Sequence, residues 1–283
     1  MAYSPDVAGI QWHPGFYGAA EIEFALNKNS LEFQREYNLS KEPIRMDLLV
    51  IKKLKNTCIE NELGHIFKNY NVVEYKGPGD GLTIDDYFKT VGYACLYKGL
   101  GESVNQIPAE ELTVSIFRES YPRELFEKLK DMGATVQEYK PGIYYISGEK
   151  VLFATQIVVI RQLDKKAHCT LRILSKNAQE DDVKEFLEEA MQMVEQGDRN
   201  NVDAVLQVSV SANQKLYEMI RRSDKIMCEA LKELMKEDFE KKEQETLLNT
   251  IRNLMDSMKW TAEQAMAAMK IPDADRGKYM AKL

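Results

Sequence analysis

The 283-residue chain holds only four cysteines, Cys58, Cys95, Cys169 and Cys228, and no two of them are in CxxC spacing. That scarcity argues against a disulfide framework and against a cysteine zinc site, so the four read as reduced core thiols. Three histidines, His13, His65 and His168, are too few and too dispersed for a histidine-rich metal centre. Any metal is therefore expected to be a hard cation held by oxygen. No apolar run approaches the roughly 18 residues that cross a bilayer. The opening MAYSPDVAGIQWHPGFYG also lacks a basic stretch followed by an apolar one. These absences lead to the expectation of a cytoplasmic protein with no membrane partner. The glycine-rich GPGDG at 77–81 has no Lys-Ser or Lys-Thr ending, so it reads as a loop and not as a phosphate-binding P-loop.

What is present describes a soluble globular chain: 44% hydrophobic and 29% charged residues, with a net charge of −7. Only −1 of that charge falls in residues 1–176, and −6 falls in 177–283. A net-acidic chain without an obvious basic cluster argues against wide, nonspecific nucleic-acid binding, though not against a local basic groove.

Periodicity divides the chain at the same place, into an α/β part over 1–176 and a helical part over 177–283. GFYGAAEIEFALNK is a helix candidate, LEFQREYNLS and IRMDLLVIKK are strands, and NELGHIFKNY is a short helical piece. The strand NVVEYK follows, and then a helix in TIDDYFKTVGYACLYKG with Thr83 as its N-cap and Gly99 at its end. A strand LTVSIFR and a helix PRELFEKLKDMG come next. TVQEYKPGIYYISG reads as a hairpin turning at Pro141-Gly142, and FATQIVVIRQL as a long strand. From residue 177 onward the spacing is helical. The run EDFEKKEQE is either an exposed section of one long helix or a hinge between two. The last residues give two short helices, the first with Thr261 and Gln264 in capping-box spacing. That pair reads either as a helix-turn-helix, with Arg276, Lys278 and Lys282 facing phosphates, or as an amphipathic hairpin for dimerisation or docking.

Side chains alternate along a strand, so Glu74 and Lys76 share one face of NVVEYK just before the glycine loop. An ordinary charge pair on a solvated edge strand would look the same. Asp47, however, enters the apolar strand before it, between Met46 and the run Leu48, Leu49, Val50, Ile51, and such a carboxylate needs an edge position or a partner. If the two strands pair, Asp47, Glu74 and Lys76 meet. Two carboxylates and a lysine suit Mg²⁺-dependent phosphodiester hydrolysis: Mg²⁺ takes oxygen ligands and keeps waters, and an ammonium orients the water or shares developing charge.

With these residues in place, the order helix, strand, strand with Asp, strand with Glu-x-Lys, helix, strand resembles the PD-(D/E)XK nuclease superfamily. EYNLSKEPIRMDLLVIKK, NVVEYKGPGDGLTIDDYFKTVGYACLYKG and LTVSIFRESYP look like its recombination-promoting nuclease and transposase-associated branch of gut Firmicutes. The resemblance covers about residues 12–176 and implies a restriction-endonuclease-like core, a mixed central sheet flanked by helices, followed by a helical C-terminal region. It implies a DNA endonuclease using Mg²⁺, or Mn²⁺ in its place, with DNA as partner, while the C-terminal helices themselves are the element through which a homodimer could form. Carried over residue by residue, Asp47 and Glu74 bind metal and Lys76 is the motif lysine. The first helix would supply a further glutamate, for which Glu21 is preferred and Glu23 competes. Lys89 and Tyr93, four apart on one helix face, resemble a Q-x-x-x-Y substrate element with lysine replacing glutamine. The motif proline is also absent, since Arg45-Met46 precede Asp47. Trp12, His13 and Tyr17 either line a DNA groove or belong to the core. The rival reading is a noncatalytic scaffolding protein that retains the fold.

Overall fold

Branched and aromatic residues concentrate in seven short runs, and each forms a strand: β1 (Leu31–Gln34), β2 (Leu48–Lys53), β3 (Tyr70–Lys76), β4 (Leu112–Arg118), β5 (Thr135–Lys140), β6 (Ile143–Ser147) and β7 (Ala154–Val159). They come from a computed structural model that describes residues 12–35, 48–54, 58–193, 195–223, 229–231, 234, 236–269 and 271–280. The strands form one mixed sheet in the order β1-β2-β3-β4-β7-β6-β5. The β3/β4 and β4/β7 pairs are parallel and the others antiparallel. The expected hairpin is β5/β6, with Gly142 at φ +80° in its turn. The expected long strand stops at Val159 and gives way to a 3-10 turn at Ile160–Gln162.

Helices cover both faces. On one side, α2 (Ile84–Lys98) and α3 (Arg123–Asp131) bury Tyr87, Val91, Leu125 and Phe126 against Val50, Val72, Val114, Ile116 and Ile157 of the sheet. On the other side lies α1 (Trp12–Glu23), where Phe16 stacks on Tyr75 at 4.4 Å and meets Phe117 at 5.2 Å. Tyr75 and Phe117 are register partners on the parallel β3/β4 pair. The predicted helix ends earlier than its apolar pattern, at Glu23, and continues only as a 3-10 stretch over Ala25–Ser30.

Behind α1 stand α4 (Cys169–Arg172), α5 (Glu180–Ala190), α6 (Gln196–Ala212) and α7 (Gln214–Ser223). The helices α1 and α6 approach closely because Gly15 and Gly18 have no side chain. A Cβ at Gly15 would sit 2.7 Å from Val208 Cγ2, and one at Gly18 2.8 Å from the Asn201 carbonyl. The Ser209 hydroxyl donates to Ile173 O at 2.9 Å, and the Asn213 amide to Ser175 O at 2.6 Å. The charge shift at 176/177 is therefore not where packing divides. The chain forms two compact units, Met1–Cys228 and Glu229–Leu283, and the helices through α7 belong with the sheet.

In the second unit, α8 (Lys236–Met258) is one continuous helix through EDFEKKEQE. The short helices α9 (Ala262–Ala268) and α10 (Asp273–Met280) follow, and the Thr261/Gln264 capping box is formed. Ile251, Ala265, Met266 and Ile271 make the core of this unit. No helix among the described residues is long and apolar enough to cross a membrane.

Buried polar groups fix the sheet register. Asn71 in β3 is fully buried and uses its whole amide: Nδ2 donates to Ile51 O at 2.9 Å and Lys68 O at 2.7 Å, while Oδ1 accepts from Lys68 N at 2.9 Å and Thr113 Oγ1 at 2.6 Å. One side chain thus ties together β2, β3 and β4. The cysteines differ from expectation: Cys169 is buried and bonds to Glu189, whereas Cys58 and Cys95 are exposed free thiols. Cys228 lies outside the described residues.

Phe16 is 1% exposed and holds α1 to the sheet, so Phe16→Ala should destabilise the first unit by about 3–5 kcal/mol. Urea unfolding followed by circular dichroism checks this.

Candidate functional site

Strand β3 alternates Val72, Glu74 and Lys76 toward α2 and Val73 and Tyr75 toward α1. Glu74 is 8% exposed, and Ile116 is its register partner in β4. Lys76 Nζ lies 3.4 Å from Glu74 Oε1 and 3.0 Å from Asp86 Oδ1, so one ammonium bridges two carboxylates. Burial raises the Glu74 carboxyl above its ordinary range, and Lys76, Lys89 and His13 offset only part of that effect. Burial alone would lower the Lys76 ammonium, but Glu74 and Asp86 outweigh it and the net shift is upward.

Asp86 is held by the start of α2. Its Oδ2 accepts from Thr83 N at 2.9 Å and Thr83 Oγ1 at 2.7 Å, while Asp86 N donates back to Thr83 Oγ1 at 3.2 Å. This is a capping box in which the N3 acid also reaches Lys76. Burial would raise Asp86, yet the hydrogen bonds from Thr83 and Lys76 keep its carboxyl lower than usual.

The expected site residues are placed as follows. Glu74 and Lys76 are together. Lys89 Nζ sits 5.5 Å from the Tyr93 ring centroid, as the four-residue spacing suggested, and its charge acts on Glu74. Asp47 lies outside the described residues. Its chain neighbour Leu48 is the register partner of Glu74.

Glu21 and Glu23 do not join the group. Their helix covers the Tyr75 face, opposite Glu74, and Glu21 is about 12 Å along the axis from His13, the α1 residue beside Tyr75. Glu21 instead accepts from Arg35 at 2.6 Å and from Asn201 Nδ2 at 2.9 Å, linking α1 to the end of β1 and to α6. Glu23 accepts from Asn61 Nδ2 at 3.0 Å and pairs with His168 Nδ1 at 2.8 Å. His168 Nε2 lies 3.3 Å from Glu62, so a histidine that is 1% exposed spans two carboxylates.

Two site residues were missed from sequence. Asp86 lies in the first turn of α2, an ordinary place for an acid, so its position in the sequence gives no signal of the contact to Lys76. His13 was weighed only as groove or core, yet its ring is 6.1 Å from Tyr75 and its charge reaches Glu74.

Among the described residues no group of three or more His, Cys, Asp or Glu converges to hold a metal ion. The donor set at Glu74 still fits Mg²⁺, which needs only one or two carboxylates beside waters and substrate phosphates. A buried carboxylate whose raised pKa Lys76 only partly offsets is one that a further cation would stabilise. Comparison with known proteins gives no match to a family model, a curated protein or a solved structure.

The His168 arrangement gives a stability test. Burial would lower its pKa, but the contacts to Glu23 and Glu62 outweigh it and raise the pKa above 6.5. A raised folded-state value means that the stabilisation is complete below the unfolded pKa of about 6.5 and is lost as pH climbs through the folded value. The melting temperature should therefore fall as pH rises from 6 upward, and His168→Phe should flatten that slope.

Proposed function

We propose that the chain is a metal-dependent phosphodiesterase of PD-(D/E)XK type acting on DNA, with its reactive centre at Glu74 and Lys76. The observation that carries this reading is a buried carboxylate and an ammonium 3.4 Å apart at the C-terminal end of a central strand, opening onto a glycine-rich loop. The antiparallel β1-β2-β3 followed by parallel β4 supports the finer fold assignment.

In this reading Glu74 would hold Mg²⁺, with Asp47 as the second ligand carried over from the resemblance. The bound ion would lower the pKa of a water and stabilise charge on the phosphate. Lys76 is kept charged by Glu74 and Asp86, and it orients the attacking water or neutralises charge at the reacting phosphate. Asp86, fixed by Thr83, holds the Lys76 ammonium in one position as a positioning residue. Lys89 adds positive potential on the substrate side.

A second reading, the noncatalytic scaffold, is favoured by one detail. Lys76 sits closer to Asp86, at 3.0 Å, than to Glu74, as it would if it only tied β3 to the start of α2.

Nicking of supercoiled plasmid separates the two. The enzyme reading expects nicking with Mg²⁺ or Mn²⁺, none with EDTA, and a loss on the order of a hundredfold or more in Lys76→Ala. Inert wild-type protein, or nicking unchanged by the substitution, removes it. Because the Glu74 carboxyl is raised and must be ionised to bind metal, the rate should drop as pH falls through that raised value.

A further inference from the structure

Arg118 ends β4 as the register partner of Lys76, so its side chain leaves the sheet on the same face. Neighbouring strands lie about 4.8 Å apart, which sets the two cations side by side. The Arg118 guanidinium is half-buried, and burial pulls its pKa down. Among the described residues it makes no hydrogen bond and no direct ion pair, and Glu119 and Asp86 act on it only at longer range. A guanidinium withdrawn from water without a partner is costly to the fold.

Its surroundings suggest what would offset that cost. Arg118 lines a polar cavity of about 310 Å³ with Gly77, Gly79, Asp80, Gly81, Glu119 and Ser120. Glu119 is already occupied by Arg161 at 2.8 Å and by the Ser175 hydroxyl. Asp80 contributes the opposing charge on the loop side. Across the loop, a Cβ added at Gly79 would come within 3.2 Å of Lys176 Nζ, and Gly79 has φ +100°. A second cation therefore stands against a backbone stripped of side chains, where a ligand can approach closely.

We infer that Arg118, Lys176 and the Gly77–Gly81 loop form a subsite for a backbone phosphate of nucleic acid, next to the phosphodiester held at Glu74 and Lys76. A guanidinium presents two parallel donors to phosphate oxygens and an ammonium adds a point charge, which matches these two side chains. The subsite deepens the proposed function and rests on it for the position of the reacting bond. It makes the substrate a polymer, since a mononucleotide cannot fill both places.

Binding measured without cleavage separates the two ideas. The probe is a fluorescein-labelled 20-nucleotide DNA, single-stranded or duplex, titrated with the full chain in EDTA at several salt concentrations. Arg118→Met keeps the apolar stem and removes the charge. It should weaken binding on the order of tenfold or more and lower the salt slope by about one. Its melting temperature should stay close to that of the wild type, because no hydrogen bond or direct ion pair of Arg118 among the described residues is lost and only the longer-range attraction to Glu119 and Asp86 is removed. Lys176→Ala, at an exposed lysine, should give the same loss of slope and carries the test if Arg118→Met fails to fold.

Unchanged affinity and slope in these variants overturns the subsite, as does wild-type protein that binds neither DNA form. Inorganic phosphate should compete with the DNA more strongly in the wild type than in Arg118→Met at ionic strength where sodium chloride has no effect, and equal competition in both would also overturn it. The subsite falls alone if Lys76→Ala abolishes nicking while Arg118→Met binds normally. The nuclease falls alone if Arg118→Met loses binding in a protein that never nicks.

Discussion

A carboxylate at the end of a central strand, 8% exposed, is the constraint around which the first unit is arranged. Left alone in that position Glu74 would cost several kcal/mol or take up a proton. Lys76 on the same face moderates this, but it must leave water as well, and it needs a second acid to stay charged. The start of α2 supplies that acid. Asp86 is reserved for the task because Thr83 occupies its other oxygen. The helix cap and the polar pair are thus one network, and the seven residues between β3 and α2 are what allow the two ends to meet.

Much of this was legible in the chain because it is local. Two-residue alternation in NVVEYK put Glu74 and Lys76 on one face, Pro141-Gly142 marked the hairpin, and Thr83 and Thr261 marked helix starts. What failed was long-range. The helix α1 is apolar nearly all round because it lies between the sheet and α6, so its pattern could not say where Glu21 and Glu23 point. Their partners are Arg35, Asn201, Asn61 and His168, remote in sequence and invisible to any spacing rule. The apolar pattern running past Glu23 likewise overextended the helix. The composition shift at 177 reports surface charge, whereas packing joins α5, α6 and α7 to the sheet unit.

The two ends of α1 carry different polar environments. At the start, His13 stands beside Tyr75 and the Glu74 group. At the finish, Glu23 meets His168 and Asn61 beneath Glu62. The second group ties the helix to the segments after β2 and β7 with buried charge-assisted contacts, which fix its axis more narrowly than apolar packing alone. That orientation sets how His13 is presented at the other end.

The buried amide of Asn71 has a consequence for what the sheet can become. The apolar run of β3 could pair with its neighbours one residue out of step, and a shift of that size exchanges the two faces of the whole strand. Glu74 and Lys76 would then be turned toward Phe16 and the aromatic layer, and Tyr75 toward Asp86. Only one alignment gives the Asn71 amide its four partners, from Ile51, Lys68 and Thr113. A strand slipped by one residue would lose the bonds to Ile51 and Thr113 and leave that buried amide only half satisfied. The placement of Glu74 and Lys76 is therefore guarded three positions upstream, by a residue outside their network.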